Sequence, residues 1–416
     1  MTSRKPGKNA FAFIFITVTL NMIGFGIIMP VMPKLIQAVT SEGLAEAARW
    51  GGKLSFAYAV MQFLLAPVMG ALSDAYGRRP VILGSLAAYS VDFLLMGLAP
   101  SIALLLLARI LAGAFSATIS TANAFIADIT PPEKRAANFG LIGAAFGLGF
   151  VIGPGIGGII GQHFGPRAPF IAVAIIGALN FTYGYFFLPE TLAPENRRPF
   201  RLKRANAFAS FREFKKFPII LPIAAAVLLY ELGHWVYPST WSYFGEARFG
   251  WTPDFIGYSL MAVGLASAIV QGGLTRVIIP KLGERRSAIT GLTIAAISYL
   301  AFGFATDAKL VYLIIIFSAL AGLTVPSLQG IMSRTIPANA QGALQGAIAS
   351  LNGVAMIFGP VIMTETFAAF SSDTSAVYFP GAAFILAAGL TALSLIPLLI
   401  AMGRVDRPRD TTPDTN

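Results

Sequence analysis

The sequence predicts an all-α membrane protein of twelve helices arranged as two six-helix bundles. Three observations predict it: a charge-poor apolar composition, twelve apolar segments of bilayer length, and an internal repeat. Of 416 residues, 56% are hydrophobic and only 12% are Asp, Glu, Lys or Arg. Soluble domains carry about 25% charged residues, because a wet surface has to be covered. At half that fraction, a chain of this size must turn its surface to lipid.

A bilayer core needs about 20 mostly apolar residues per helix. Segments of that kind lie near 10–38, 53–73, 80–99, 102–127, 137–161 and 167–188, and again near 218–243, 255–279, 287–305, 309–332, 342–368 and 378–402. The first follows Arg4, Lys5 and Lys8 as a signal peptide would. It is too long for a signal core and lacks a small-residue cleavage site, so it reads as helix 1. With both termini on the cytoplasmic side, 23 of the 30 Lys and Arg fall in inner segments, Arg78, Arg79, Lys134, Arg135 and Arg334 among them. The net charge of +11 is therefore a matter of topology, and a nucleic-acid partner is dropped. With no cysteine there is no disulfide or thiolate site, and two distant histidines, His163 and His234, offer no metal centre.

The stretch 190–217 is the one long polar interruption. It reads as a cytoplasmic linker between an N-terminal bundle, 1–189, and a C-terminal bundle, 218–416. The halves repeat. Gly77 recurs as Gly283, Gly153-Pro154 as Gly359-Pro360, and Pro131 and Gly140 as Pro337 and Gly346, always at an offset of 206 residues.

Between helices 2 and 3 stand Gly70, Asp74, Gly77, Arg78 and Arg79. They make either a tight turn with positive-inside charges or a charge latch between the halves. As a latch, Asp74 would meet the N-terminal end of helix 11 near Gln341, where free N–H groups favour an anion, and Asp128 would hold Arg78, both contacts forming in an outward-open state and breaking in an inward-open one. In helix 5, Gly149, Gly153, Gly157 and Gly161 clear one face for close packing, and Pro154 permits a bend. Static packing accounts for part of this; a hinge against the other half is the added expectation.

These segments resemble a known family. GALSDAYGRRP, LLLLARILAGAFSATISTANAFIADIT and GLGFVIGPGIGG are similar to signature motifs of the major facilitator superfamily, best to its twelve-helix drug/proton antiporters. NMIGFGIIMPVMPKL, YAVMQFLLAPVMGALSD and FGEARFGW resemble the tetracycline efflux branch. The resemblance implies two bundles rocking about a central cavity, proton-driven export, and coupled-transport roles at the Asp92 and Arg109 positions. It also marks departures. Asn21 and Ala295 stand where the branch has carboxylates, and Ala266 where it has a histidine. Coupling is then either rerouted through Glu231 and Asp92 or weak.

Ionisable groups at membrane depth are costly and so are functional candidates. Asp92 precedes Pro100 by eight residues and Arg109 follows it by nine, which puts both roughly 12–14 Å below the outer end of a hairpin, at one depth. Their pairing reads equally as a structural ion pair or a coupling element. Glu231 and His234, three apart on helix 7, share a face among Tyr230, Trp235, Tyr237 and Trp241. They form either a proton site in apolar surroundings, which penalise the charged form, or part of an interfacial aromatic belt. Substrate candidates are the amides Asn21, Gln62, Asn123, Gln271, Gln329 and Asn352 with Tyr230 and Trp235.

The leading reading is a monomeric secondary transporter exporting a small amphipathic compound against protons from a bacterial inner membrane, in contact with membrane lipids and without a cofactor. The alternatives are a uniporter or importer of a lipid-like or organic-anion metabolite, and a non-transporting receptor. An enzyme is excluded by the lack of any catalytic constellation at workable spacing.

Overall fold

The computed structural model describes residues 8–116, 118–202, 220–337 and 340–405. In the first half, helix 1 is Lys8–Thr40, helix 2 Leu44–Tyr76 and helix 3 Arg78–Leu98. Helix 4 is Ile102–Ala114 continued by Thr118–Ile129, helix 5 is Arg135–Phe164 and helix 6 Ala168–Phe187. In the second half, helix 7 is Leu221–His234 continued by Val236–Phe249, and helix 8 spans Pro253–Leu282 with a π segment at Val270–Leu274. Helix 9 is Glu284–Phe304, and helix 10 spans Ala308–Thr335 with a 3-10 segment at Ala319–Leu323. Helix 11 is Gln341–Ser371 and helix 12 Ala382–Val405. No strand occurs among the described residues.

Eleven of these helices are each long and apolar enough to cross a membrane. The twelfth, helix 7, is divided into two pieces of 14 residues. The chain is a multi-pass membrane protein. The division has a local cause: Pro238 has no N–H to give the carbonyl of His234. Trp235 N still bonds Glu231 O at 3.2 Å, and the ladder resumes with Ser239 N to Trp235 O at 3.2 Å. Helix 2 starts at Leu44, earlier than expected, because Ala47 and Ala48 are buried against neighbours although Glu46, Arg49 and Lys53 dilute the apolar signal.

The repeat is visible in the backbone. Gly77 and Gly283 both take positive φ, +109° and +78°, immediately before helices 3 and 9. Pro154 and Pro360 both lie inside long helices, 5 and 11. Of the expected linker, residues 203–217 lie outside the described residues, as do Arg4, Lys5, Arg407 and Arg409.

The end carrying the turn between helices 1 and 2 is called distal here, and the end carrying Gly77 proximal. Polar contacts between the halves gather at the distal end. Lys34 Nζ meets Glu246 Oε1 at 2.6 Å, Arg49 Nε meets Glu365 Oε2 at 3.3 Å, and Arg49 also pairs with Glu46. Ser242 Oγ donates to the Met29 carbonyl at 2.7 Å and Tyr243 OH to the Ala47 carbonyl at 3.2 Å. Toward the proximal end Gly70, Gly143, Gly147, Gly272, Gly273 and Gly342 have no neighbouring atom within 4 Å of where a Cβ would stand. The polar contacts described here tie the halves together at the distal end.

Candidate functional site

A central cavity of about 220 Å³ lies between the halves. Helices 1 to 4 supply Asn21, Gln62, Asp92 and Arg109, while helices 7 and 11 close it with Trp235, Ser239 and Met356. Its walls are mostly apolar and aromatic, with few polar groups, as suits an organic ligand. The break in helix 7 turns Trp235 toward the cavity, where its side chain packs on Gly359; a Cβ at Gly359 would stand 2.7 Å from it.

Arg109 and Asp92 form an ion pair in the wall, and both are buried. The depth argument thus brings together the two groups it was meant to. The pair is under-satisfied: Asp92 Oδ1 and Arg109 Nε have no hydrogen-bond partner among the described residues, and neither has Gln62 Oε1 on the same cavity. Buried polar groups without partners are rare and costly, so three in residues around one cavity mark this wall as under-satisfied. Tyr58 joins them, its ring 5.7 Å below the Arg109 guanidinium, and Tyr89 is held nearby by its bond to the Leu20 carbonyl at 2.9 Å. Neither tyrosine was singled out from sequence. The usable signal was the four-residue spacing of Tyr58 and Gln62, which puts both on one face.

The other expected site residues divide. Tyr230, Glu231, Gln329 and Asn352 line a separate small cavity inside the second half. His234 bonds Tyr299 OH at 3.2 Å and stacks on Tyr230 with centroids 5.7 Å apart. Glu231 and His234 keep their three-residue helical spacing within the piece Leu221–His234, but no hydrogen bond or ion pair joins them among the described residues. Trp241 does not surround Glu231 either. It is buried among Phe244, Phe302 and Phe384, with centroids 5.1–6.4 Å away, and donates to Ser259 Oγ at 2.8 Å. Gln271 is exposed on the π segment of helix 8, and neither it nor Asn123 lines either cavity.

At the proximal turn, Arg78 holds Asp74 at 2.6 Å and Asp128 at 3.1 Å, all within the first half. Asp74 does not reach helix 11, where Gln341 bonds Ser333 and Ile336 instead. The Asp128–Arg78 contact, expected to open together with the Asp74 contact to helix 11, persists because both partners belong to one half. Arg79 bonds the Tyr185 carbonyl at 2.6 Å. A residue missed from sequence binds this turn together. Glu190 accepts from the backbone N–H groups of Arg78, Arg79, Thr191 and Leu192 at 2.9–3.1 Å. A Cβ on Gly77 would run into that carboxylate. Helix 3 begins without a side-chain cap of its own, which was the available clue.

The glycine face of helix 5 corrects the hinge expectation. Gly149, Gly153 and Gly157 lie against helix 1 of the same half, where added Cβ atoms would meet backbone at Thr19, Ile23 and Ile27. The opposite face of helix 5 meets the other half: the Pro154 carbonyl lies against Gly257, Gly155 against Met261 and Gly158 against Pro253.

Residues 14–360 and 223–416 match the sequence profile of the Major Facilitator Superfamily. The chain belongs to that superfamily. The tetracycline resistance protein of class C from Escherichia coli is 38% identical over 388 residues, 93% of this chain and 96% of that protein. Multidrug resistance protein 2 of Bacillus subtilis is 30% identical over 363 residues, 85% of this chain and 88% of that protein. Among solved structures, a bacterial homologue of the human lysosomal transporter Spinster, inward-facing and unoccupied, superposes with a TM-score of 0.76 at 17% identity, covering 97% of this chain and 96% of that one. The human organic anion transporter MFSD10 gives 0.67 at 22% identity, covering 95% and 100%. At these identities the structures speak for the fold, which is that of the superfamily. The chain is a secondary transporter and not an enzyme.

Proposed function

We propose that this chain exports a small amphipathic compound in exchange for protons by alternating access, working as a monomer in a bacterial inner membrane with both termini and the proximal end in the cytoplasm. Two halves, 1–189 and 218–416, rock about the central cavity and are joined by a linker at 190–217. The names of the relatives, tetracycline and multidrug resistance proteins, support an organic drug-like substrate. The observation that carries the reading is the buried Asp92–Arg109 pair with its unpartnered atoms beside Gln62 on an apolar cavity.

Two carboxylates at membrane depth remain once Asn21 and Ala295 are set aside. Asp92 is engaged by Arg109 and acts as the responder, its ion pair separating as ligand or rocking disturbs it. Glu231, with no cation partner among the described residues, is the proton site. One proton moving inward releases about 2.3 kcal/mol per 100 mV, which is available to work only if a carboxylate alternates between its two forms. The test compares gradient-driven transport with solute counterflow in proteoliposomes, using tetracycline and a panel of amphipathic amines. Glu231→Gln should lose driven accumulation and keep counterflow; Asp92→Asn should lose both. Full pH-driven accumulation in Glu231→Gln would end the assignment.

A further inference from the structure

The central cavity holds one acid and one base. Among the described residues lining it, only Asp92 and Arg109 are ionised at neutral pH; Tyr58, Tyr89 and Tyr243 are phenols. The two are bonded to each other and both are buried, and the Tyr58 ring lies 5.7 Å from the guanidinium. Their charges cancel where they stand, so the wall presents dipoles and no net charge. Other charges are matched or line a different space. On the distal side Lys34 is paired with Glu246 and Arg49 with Glu46 and Glu365, and Glu231 lines the separate small cavity.

The rest of the wall tolerates shape. Met22, Met29, Met32 and Met356 bring unbranched, polarisable thioethers, and Phe25 and Phe93 bring flat faces. Such side chains repack around apolar bodies of different outline. They do nothing for a charge. A net charge moved from water into this cavity loses hydration that no unmatched countercharge replaces. Asp92 has none to spare for a cation, and Arg109 none for an anion. An uncharged molecule avoids that cost, and the opposite charges of a zwitterion meet a wall that is itself a matched pair.

We propose that the central cavity selects on charge before shape: it takes compounds with no net charge, neutral or zwitterionic, in preference to cations and anions of the same size. The proposal rests on the reading of this cavity as the transport site, but its test needs no transport. Four probes share one fluorophore: dansylamide is neutral, Nε-dansyl-lysine zwitterionic, dansylcadaverine a cation and dansylglycine an anion. Binding to purified protein in an uncharged detergent is read at pH 7.5 as the saturable rise in dansyl emission over empty micelles. The neutral and zwitterionic probes should bind with similar Kd, and the cation and the anion each about tenfold more weakly or worse. Asp92→Asn leaves Arg109 charged and unmatched, so dansylglycine should gain about tenfold while dansylcadaverine does not. Adding Arg109→Gln to that variant should return the preference to the uncharged pair. If Asp92→Asn does not fold, the wild-type ranking and the double variant, which buries no charge, still decide. Ser55→Trp or Met356→Trp, each filling the cavity from one half, should abolish the saturable rise. Either charged probe binding as tightly as the uncharged pair, with the filling variants still blocking it, overturns the charge rule and leaves the cavity as the binding site. Binding that survives both filling variants overturns the cavity reading as well.

Discussion

The distal seal can be broken at one charge. Glu246 is 17% exposed and accepts from Lys34 at 2.6 Å, with a second, longer contact from Gln37 at 3.4 Å. Glu246→Gln keeps the shape and removes the ion pair. Lys34 is 41% exposed, so its Coulomb gain is screened, and the pair is worth about 1 kcal/mol, the upper end for surface ion pairs. Because the bond joins the two halves and would be absent once they part distally, nearly all of that energy weighs on the conformational equilibrium. About 1 kcal/mol corresponds to roughly a fivefold shift toward the distally open form. The chain has no cysteine, so Ser101→Cys and Ala376→Cys, at exposed distal positions in opposite halves, take spin labels without background. Double electron–electron resonance should show a longer-distance population growing about fivefold relative to the short one in Glu246→Gln. Lys34→Gln should match it, and the double variant should add nothing further. Unchanged distances in both single variants, or strictly additive shifts, would refute the idea that this pair holds the seal.

Asp74→Asn should slow transport while leaving Tm within about 1 °C of wild type, since Asp74 is only half-buried and its one ion pair among the described residues lies within its own half; wild-type turnover would remove the latch. Gly153→Val should cost about 2 kcal/mol or more, because its Cβ would strike the Ile23 backbone, whereas Gly143→Val, facing open space, should keep a near-native Tm. Glu190→Ala should free the N–H groups of Arg78 and Arg79 at a cost of about 1 kcal/mol, seen as faster hydrogen exchange at the start of helix 3; unchanged exchange there would show that water serves as well.

The twelve spans and the repeat were legible because lipid imposes length and apolarity on every segment and because both halves carry the same punctuation, Gly77 with Gly283 and Pro154 with Pro360. Asp92 and Arg109 were legible through counting residues from a hairpin tip. What sequence could not supply was the identity of neighbours. The bare glycine face of helix 5 was evident, but not that helix 1 would cover it and leave the other half to meet Pro154 and Gly155. Glu231 and His234 keep their helical spacing, but no local pattern foretold that His234 would be taken up by Tyr299 of helix 9. Gln329 and Asn352 join Glu231 only through the relative heights of three helices, which no local pattern encodes. Gln271 and Asn123 have the right depth and the wrong direction.

Of the chain's four tryptophans, Trp241 and Trp251 are buried in the aromatic core of the second half, and Trp50 sits at the distal end, its indole N–H bonded to Glu42 at 3.0 Å. Trp235 alone among them lines the central cavity. The molecule therefore contains its own optical probe. Replacing the other three by phenylalanine would leave a single emitter whose spectrum and quenching follow occupancy of the cavity, and a coloured ligand within a few ångströms of it would extinguish it by energy transfer. Candidate solutes can then be ranked by light on the unlabelled protein, before any of them is shown to cross a membrane.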